Sequence, residues 1–82
     1  MSTEHTIKNF IIENFIIDGS TATLDNDQSF LESGIIDSTG ILELVSFLEE
    51  HYTIKIEDEE LIPGNLDSVN NVVSFINRKL GN

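Results

Sequence analysis

The sequence contains no cysteine, and this absence narrows the chemistry open to the chain. Without cysteine there can be no disulfide framework, no thiolate metal site and no thiol for thioester chemistry. Basic residues are scarce as well: 4 Lys and Arg face 15 acidic residues, for a net charge of −11. Nucleic acid and anionic membranes are therefore poor partners, because binding phosphate requires clustered basic side chains. Basic protein surfaces are the natural partners of such an acidic chain.

Long apolar runs are also missing. None approaches the roughly 20 residues that a membrane-spanning helix needs, and residues 1–5 have neither the basic region nor the apolar stretch of a signal peptide. We therefore expect a cytoplasmic protein without a membrane span. The 82 residues, 39% of them hydrophobic, suffice for one small domain over 1–82 with a modest core. We expect that domain to be monomeric.

Apolar residues recur at i, i+3, i+4 and i+7 in several segments, which is the period of an α-helix. The spacing predicts helices over 3–17, 38–51 and 67–80. A further short helix is predicted over 58–62, ending at Pro63. Three long helices and one short one predict an all-α fold, namely a small antiparallel four-helix bundle.

A long polar connection, 18–37, joins the first two helices. Connections of this length in a compact domain usually have a function or are fixed to the core. Four apolar residues are expected to fix this one by packing onto the helices: Phe30, Leu31, Ile35 and Ile36. The alternation over 52–56 fits a short strand or an extended connector, and we favour the connector because a lone strand would have no partner. Asp67 or Ser68 is expected to cap the last helix.

Ser38 is the residue on which the functional interpretation rests, because it stands where the polar loop becomes a strongly amphipathic helix. It follows Asp37 at the helix start, where unpaired N–H groups and the helix dipole favour an anion. The pair also has a simpler interpretation, since aspartate and serine are both ordinary N-caps.

No catalytic or metal-binding pattern accompanies Ser38. The nucleophile elbow G-x-S-x-G would require glycine at Ile36. His51 is too far along the helix to act as a base for Ser38, whereas spacing alone does not exclude His5. The acidic loop is not an EF-hand, because both possible frames place an apolar residue where a ligand or glycine is required. We therefore interpret Ser38 as a serine that another enzyme modifies, in a chain that is not itself an enzyme.

The helix after Ser38 has two distinct faces. Steps of 100° per residue place its apolar stripe opposite an exposed face that carries carboxylates, and they place Leu42 beside Ser38. The carboxylates form either an ordinary solvated face or a docking surface for a basic partner. The predicted partner-docking residues are Thr39, Leu42, Glu43, Ser46, Glu49 and Glu50.

The segment 30–44, FLESGIIDSTGILEL, resembles the acyl carrier proteins, which are phosphopantetheine-binding carrier domains, and the resemblance extends over nearly the whole chain. It implies that Ser38 carries 4′-phosphopantetheine, transferred from coenzyme A by a phosphopantetheinyl transferase with Mg²⁺, and that Asp37 is the family's aspartate at the cofactor-binding site. The thiol of the arm would hold an acyl or aminoacyl group as a thioester, so the cofactor would supply the missing sulfur. The implied partners are a loading ligase and acyl-processing enzymes of fatty acid or secondary metabolite biosynthesis.

Two residues after the serine depart from the family pattern. Leucine is common where Thr39 stands, and many fatty-acid carriers have an acid where Gly40 stands. We interpret both changes as a loss of bulk or charge at the start of the helix, where partners would dock and which we call the docking tip. We therefore expect a specialised stand-alone carrier. The phenylalanines of the core are expected to leave less room for a long acyl chain: Phe10, Phe15, Phe47 and Phe75. The alternative is an acidic helical adaptor that binds a basic protein without a prosthetic group and uses Ser38 as a cap.

Overall fold

The computed structural model describes residues 3–15 and 25–81, which form α-helices and no β-strand. The helices are α1 (Thr3–Phe15), α2 (Phe30–Ser33), α3 (Ser38–Tyr52), α4 (Pro63–Leu66) and α5 (Val69–Lys79), with a 3₁₀ turn at Asp58–Glu60. The predicted all-α fold with three long helices is confirmed, and α2 and α4 are additional short helices. Residues 16–24, which include the end of the predicted first helix and part of the first loop, lie outside the described residues. No helix in the described ranges has the length and apolarity to cross a membrane.

The core forms where the apolar stripes of the three long helices meet. Each stripe follows helical spacing, so its side chains share one face. Each such side chain contributes roughly 1.5–3 kcal/mol when it is fully removed from water. The side chains with at most 2% exposure are Ile7 and Ile11 of α1, Leu44 and Leu48 of α3, and Val69, Val72, Phe75 and Ile76 of α5, joined by Phe30, Ile36 and Leu66.

The described part of the first loop is held against the helices by its apolar residues. Phe30 and Ile36 are fully buried and Ile35 is half-buried, as predicted. The prediction that Leu31 packs onto the core is wrong, because its side chain is 43% exposed. α2 is a single helical turn that directs the Phe30 side chain inward. Successive side chains of a helix point about 100° apart, so the Leu31 side chain points away from that direction.

Hydrogen bonds from Asp67 fix α2 to the start of α5. The Asp67 backbone carbonyl accepts the Phe30 N–H at 2.7 Å. Its carboxylate accepts the Leu31 N–H at 2.9 Å and also the Ser29 hydroxyl. Of the two candidate caps for α5, the structure selects Ser68, whose hydroxyl accepts the Asn71 N–H at 3.1 Å. Asp67 therefore serves α2 rather than α5.

The segment between α3 and α5 differs from the prediction in one respect. The expected helix over 58–62 is a 3₁₀ turn at Asp58–Glu60, and Pro63 is the first residue of α4 rather than the end of a helix. Proline fits this position because the first N–H groups of a helix have no partner within it. Residues 54–57 form no regular structure, so the extended connector is confirmed over the strand.

Candidate functional site

Ser38 is the first residue of α3, and Asp37 is the N-cap of that helix. The Asp37 carboxylate accepts the Gly40 N–H at 2.8 Å. The Ser38 side chain is exposed, and its hydroxyl makes no hydrogen bond to another described residue. The capping interpretation therefore holds for Asp37 and is wrong for Ser38.

An apolar groove of about 280 Å³ opens beside Ser38. Three segments build it: α2, the first turns of α3, and the stretch 61–67. Large apolar side chains stand exposed at its edge, with Leu42 57%, Ile62 50% and Leu31 43% exposed. The lining residues are Ser38, Leu31, Ile41, Leu42, Leu61, Ile62, Pro63, Leu66 and Asp67. We call this cavity the Ser38 groove.

Sequence reasoning missed most of the Ser38 groove and found only its wall on α3. The sequence signal for the rest of the groove is the apolar pair Leu61 and Ile62. Two large apolar residues just before Pro63 are more than a single 3₁₀ turn needs for its own packing. That the core phenylalanines leave less room for a long acyl chain stays a prediction. None of Phe10, Phe15, Phe47 and Phe75 lines the groove.

The exposed face of α3 lies next to the Ser38 groove. Five of the six predicted docking residues are exposed: Thr39, Leu42, Glu43, Ser46 and Glu50. Glu49 is half-buried, and its carboxylate accepts the Ile56 N–H at 2.9 Å. Glu49 therefore also holds the connector after α3, and a docking role for all six residues stays a prediction.

Known proteins resemble this chain over nearly its whole length, although no family model matches it. It is 32% identical over 75 residues to the probable acyl carrier protein PigG of Serratia sp., an alignment that covers 92% of this chain and 85% of that protein. It is 30% identical over 81 residues to the acyl carrier protein of Chlamydia caviae, covering 99% of this chain and 100% of the relative. The chain belongs to the acyl carrier proteins. The resemblance inferred from the segment around Ser38 is thus confirmed, and with it an acyl carrier function.

Gly40 occupies an unexpected place in this acyl carrier protein. The prediction put it at the exposed docking tip, but it is buried. A Cβ atom built on Gly40 would lie 2.7 Å from Cγ2 of Ile36 and 2.8 Å from Cε1 of Phe15. The interpretation of Gly40 as a charge lost from the docking tip is therefore wrong, because the loop and α1 cover that side of the helix. Thr39 is exposed at the tip, as predicted.

The basic residues of α5 lie at its C-terminal end, in the last turn of that helix. The Lys79 ammonium lies 2.9 Å from a Glu60 carboxylate oxygen, and Arg78 donates to the Asn65 side-chain oxygen at 2.8 Å. A hydrogen bond from the Glu57 N–H, and then the Lys79 ammonium, lower the pKa of the Glu60 carboxyl below its ordinary value.

His51 lies in the last turn of α3. Thirteen residues at a rise of about 1.5 Å each place it about 20 Å along the helix from Ser38. Its ring stacks on Phe47 at 5.2 Å between ring centroids. This position agrees with the sequence argument that His51 cannot serve Ser38 as a base.

Proposed function

We propose that Ser38 is the attachment point of a 4′-phosphopantetheine arm, and that the protein presents an acyl or aminoacyl group, held on that arm as a thioester, to partner enzymes. The observation that carries the proposal is the Ser38 hydroxyl itself. It is exposed, it has no hydrogen-bond partner among the described residues, and it stands at the mouth of an apolar groove.

The start of α3 suits a phosphodiester. The first N–H groups of a helix have no partner within it, and Asp37 takes only that of Gly40. The dipole of this 15-residue helix places partial positive charge at the same end. The carrier can therefore stabilise a phosphate on the Ser38 oxygen without a basic side chain.

The chain's own part in attachment is to offer the Ser38 oxygen, which bonds to the phosphorus nearer the pantetheine and gives up its proton, while the pyrophosphate P–O bond of coenzyme A breaks and adenosine 3′,5′-bisphosphate leaves. The transferase supplies the base and the Mg²⁺ for this reaction. The arm, once bound, supplies the thiol that this cysteine-free chain lacks.

The Ser38 groove is suited to an apolar cargo. Its walls are aliphatic apart from Ser38 and Asp67. Burying apolar surface stabilises the bound form by roughly 25 cal/mol per Å². An acyl chain that folds back from the arm would lie along Leu31, Ile41 and Leu66.

The face of α3 next to the groove is suited to partner enzymes. It combines the exposed Leu42 with the carboxylates Glu43 and Glu50. Basic surfaces of a transferase, a loading ligase and acyl-processing enzymes would approach it under electrostatic attraction. In this proposal the partners perform the reactions and the carrier performs none.

Mass spectrometry tests the attachment directly. The protein is incubated with coenzyme A, Mg²⁺ and a broad-specificity phosphopantetheinyl transferase. We expect the mass to rise by one phosphopantetheine group, and Ser38→Ala to abolish the rise. Ser74→Ala is the matched control, because Ser74 is an exposed helical serine of α5 that is not among the predicted docking residues, and it should be modified like the wild type. An unchanged mass of the wild type, when a known carrier is modified in parallel, would refute the proposal.

A further inference from the structure

Gly40 stands in α3 against local preference, since glycine lowers helix stability relative to alanine. Its backbone does not require glycine, because positive φ angles occur only at Thr53, Gly34 and Gly81 among the described residues. The lack of space beside position 40 is what requires glycine there. The atoms nearest to a built Cβ are a methyl group of Ile36 and a ring carbon of Phe15, at 2.7 and 2.8 Å, where ordinary contact begins near 3.4 Å.

Ile36 cannot move away easily, and Phe15 is packed against a second ring. Ile36 is 1% exposed and its N–H is bonded to the Phe30 carbonyl at 3.3 Å. The Phe15 ring packs edge to face on Phe10 at 5.9 Å. A side chain at position 40 would therefore displace packed groups rather than a flexible chain end.

The displaced segment leads directly to the attachment serine. Ile36 comes two residues before Ser38, and Asp37 between them holds the first turn of α3 through Gly40. The capping oxygen of Asp37 is itself 3.4 Å from the built Cβ. A shift of Ile36 would therefore move the capping residue Asp37 and, with it, the Ser38 oxygen.

We propose that Gly40 is a positioning residue for phosphopantetheine attachment: its missing side chain lets Ile36 and Phe15 close against α3, and this contact sets where the Ser38 oxygen is presented. The inference rests on the proposed attachment at Ser38. Because the protein itself covers position 40, partner enzymes would approach Ser38 from the open side, which is the side of Leu42.

Transferase kinetics with coenzyme A test the inference, with Gly64→Ala as the matched control. Gly64 is also a helical glycine, but nothing lies within 4 Å of its built Cβ. We expect Gly40→Ala to lower kcat on the order of tenfold while KM changes less, because displaced reacting atoms slow chemistry and the docking face is untouched. Gly64→Ala should match the wild type within about twofold.

Rescue separates positioning from a general loss of packing. Ile36→Leu removes the branched methyl that would meet the new Cβ while keeping a similar volume. Adding it to Gly40→Ala should restore most of kcat, whereas Ile36→Leu alone should lower kcat, because it removes the methyl group that closes against Gly40. The amide NMR signals of Ser38 and Thr39 should move in Gly40→Ala and return towards their wild-type positions in the double variant.

A further variant covers the case in which Gly40→Ala does not fold. Ile36→Ala removes the same contact from the other side and should also lower kcat. Ile76→Ala truncates an equally buried side chain of α5 and should lower stability without lowering kcat at a temperature where both variants are folded.

The outcomes are distinct. If the wild type is not modified, attachment at Ser38 is refuted and the role of Gly40 with it. If the wild type and Gly40→Ala are modified with equal kcat, or Ile36→Ala and Ile76→Ala lose kcat equally, the positioning role alone is refuted.

Discussion

Removing the Asp67 side chain should loosen the wall of the Ser38 groove. The carboxylate accepts the Leu31 N–H at 2.9 Å and the Ser29 hydroxyl, and these bonds hold α2 to the start of α5. The backbone bond from the Phe30 N–H to the Asp67 carbonyl, at 2.7 Å, would survive the substitution Asp67→Ala. The variant therefore tests the two side-chain bonds separately from the backbone contact.

The size of the loss follows from the exposure of each bond. A hydrogen bond to a charged group contributes about 1.5–3 kcal/mol, and less where water can replace the lost partner. The Leu31 N–H is exposed and the Ser29 hydroxyl is part-buried, so we expect about 2–3 kcal/mol in total. For a domain of this size that loss lowers Tm by about 10–20 °C.

Thermal and urea unfolding, followed by far-ultraviolet circular dichroism, measure this loss. Asp58→Ala is the control, because it removes the same charge from an exposed residue and should change stability by less than about 0.5 kcal/mol. Asp67→Asn keeps one side-chain carbonyl oxygen and should lose about half as much as Asp67→Ala. Equal stability of Asp67→Ala and Asp58→Ala would show that the anchor contributes nothing.

Three further predictions concern other parts of the carrier. The Glu57 N–H and then the Lys79 ammonium hold the pKa of the Glu60 carboxyl below its ordinary 4.5, so these contacts stabilise the fold above about pH 4.5, and the stabilisation is lost as the pH falls through the lowered pKa. Glu60→Gln should therefore melt at a lower temperature than the wild type at pH 7, and the two Tm values should converge in acid. Ser68→Ala removes the cap that accepts the Asn71 N–H and should cost about 1 kcal/mol in urea unfolding, whereas an unchanged midpoint would deny the cap. Leu42→Ser should leave the unfolding free energy within about 0.5 kcal/mol because the side chain is 57% exposed, but it should raise the transferase KM several-fold, and an unchanged KM would remove Leu42 from the docking surface.

Helical periodicity was enough to predict the long helices, because each of them buries one stripe over three or more turns. It could not predict α2 or α4, since four residues make a single turn and show no repeat. The prediction that Pro63 ends a helix is wrong for a related reason, because proline is compatible both with the end of a helix and with its first position. The capping residue of α5 was narrowed to Asp67 or Ser68, and only the tertiary bonds of Asp67 to α2 decided between them.

The candidate site divides in the same way. Ser38, Leu42 and the exposed carboxylates lie on one helix, so their relative placement follows from its geometry. The Ser38 groove needs segments more than 20 residues apart in the sequence, such as Leu31 and Leu61, and local patterns carry no information about their contact. The prediction that Gly40 lies at the exposed docking tip is wrong for the same reason, because Phe15, which covers it, belongs to another helix.

The bonds of Asp67 also bear on how this carrier folds. They join residues that are 36 and 38 positions apart in the chain, so they close a long loop and form only when the two halves of the molecule meet. Residues 1–52 contain the whole helix that begins at Ser38, but they lack the stretch 61–67 that completes the groove beside it. The Ser38 groove is thus a property of the completely folded chain, and a carrier that opens locally between α2 and α5 would lose the groove that we propose for the cargo while keeping the helix that begins at Ser38.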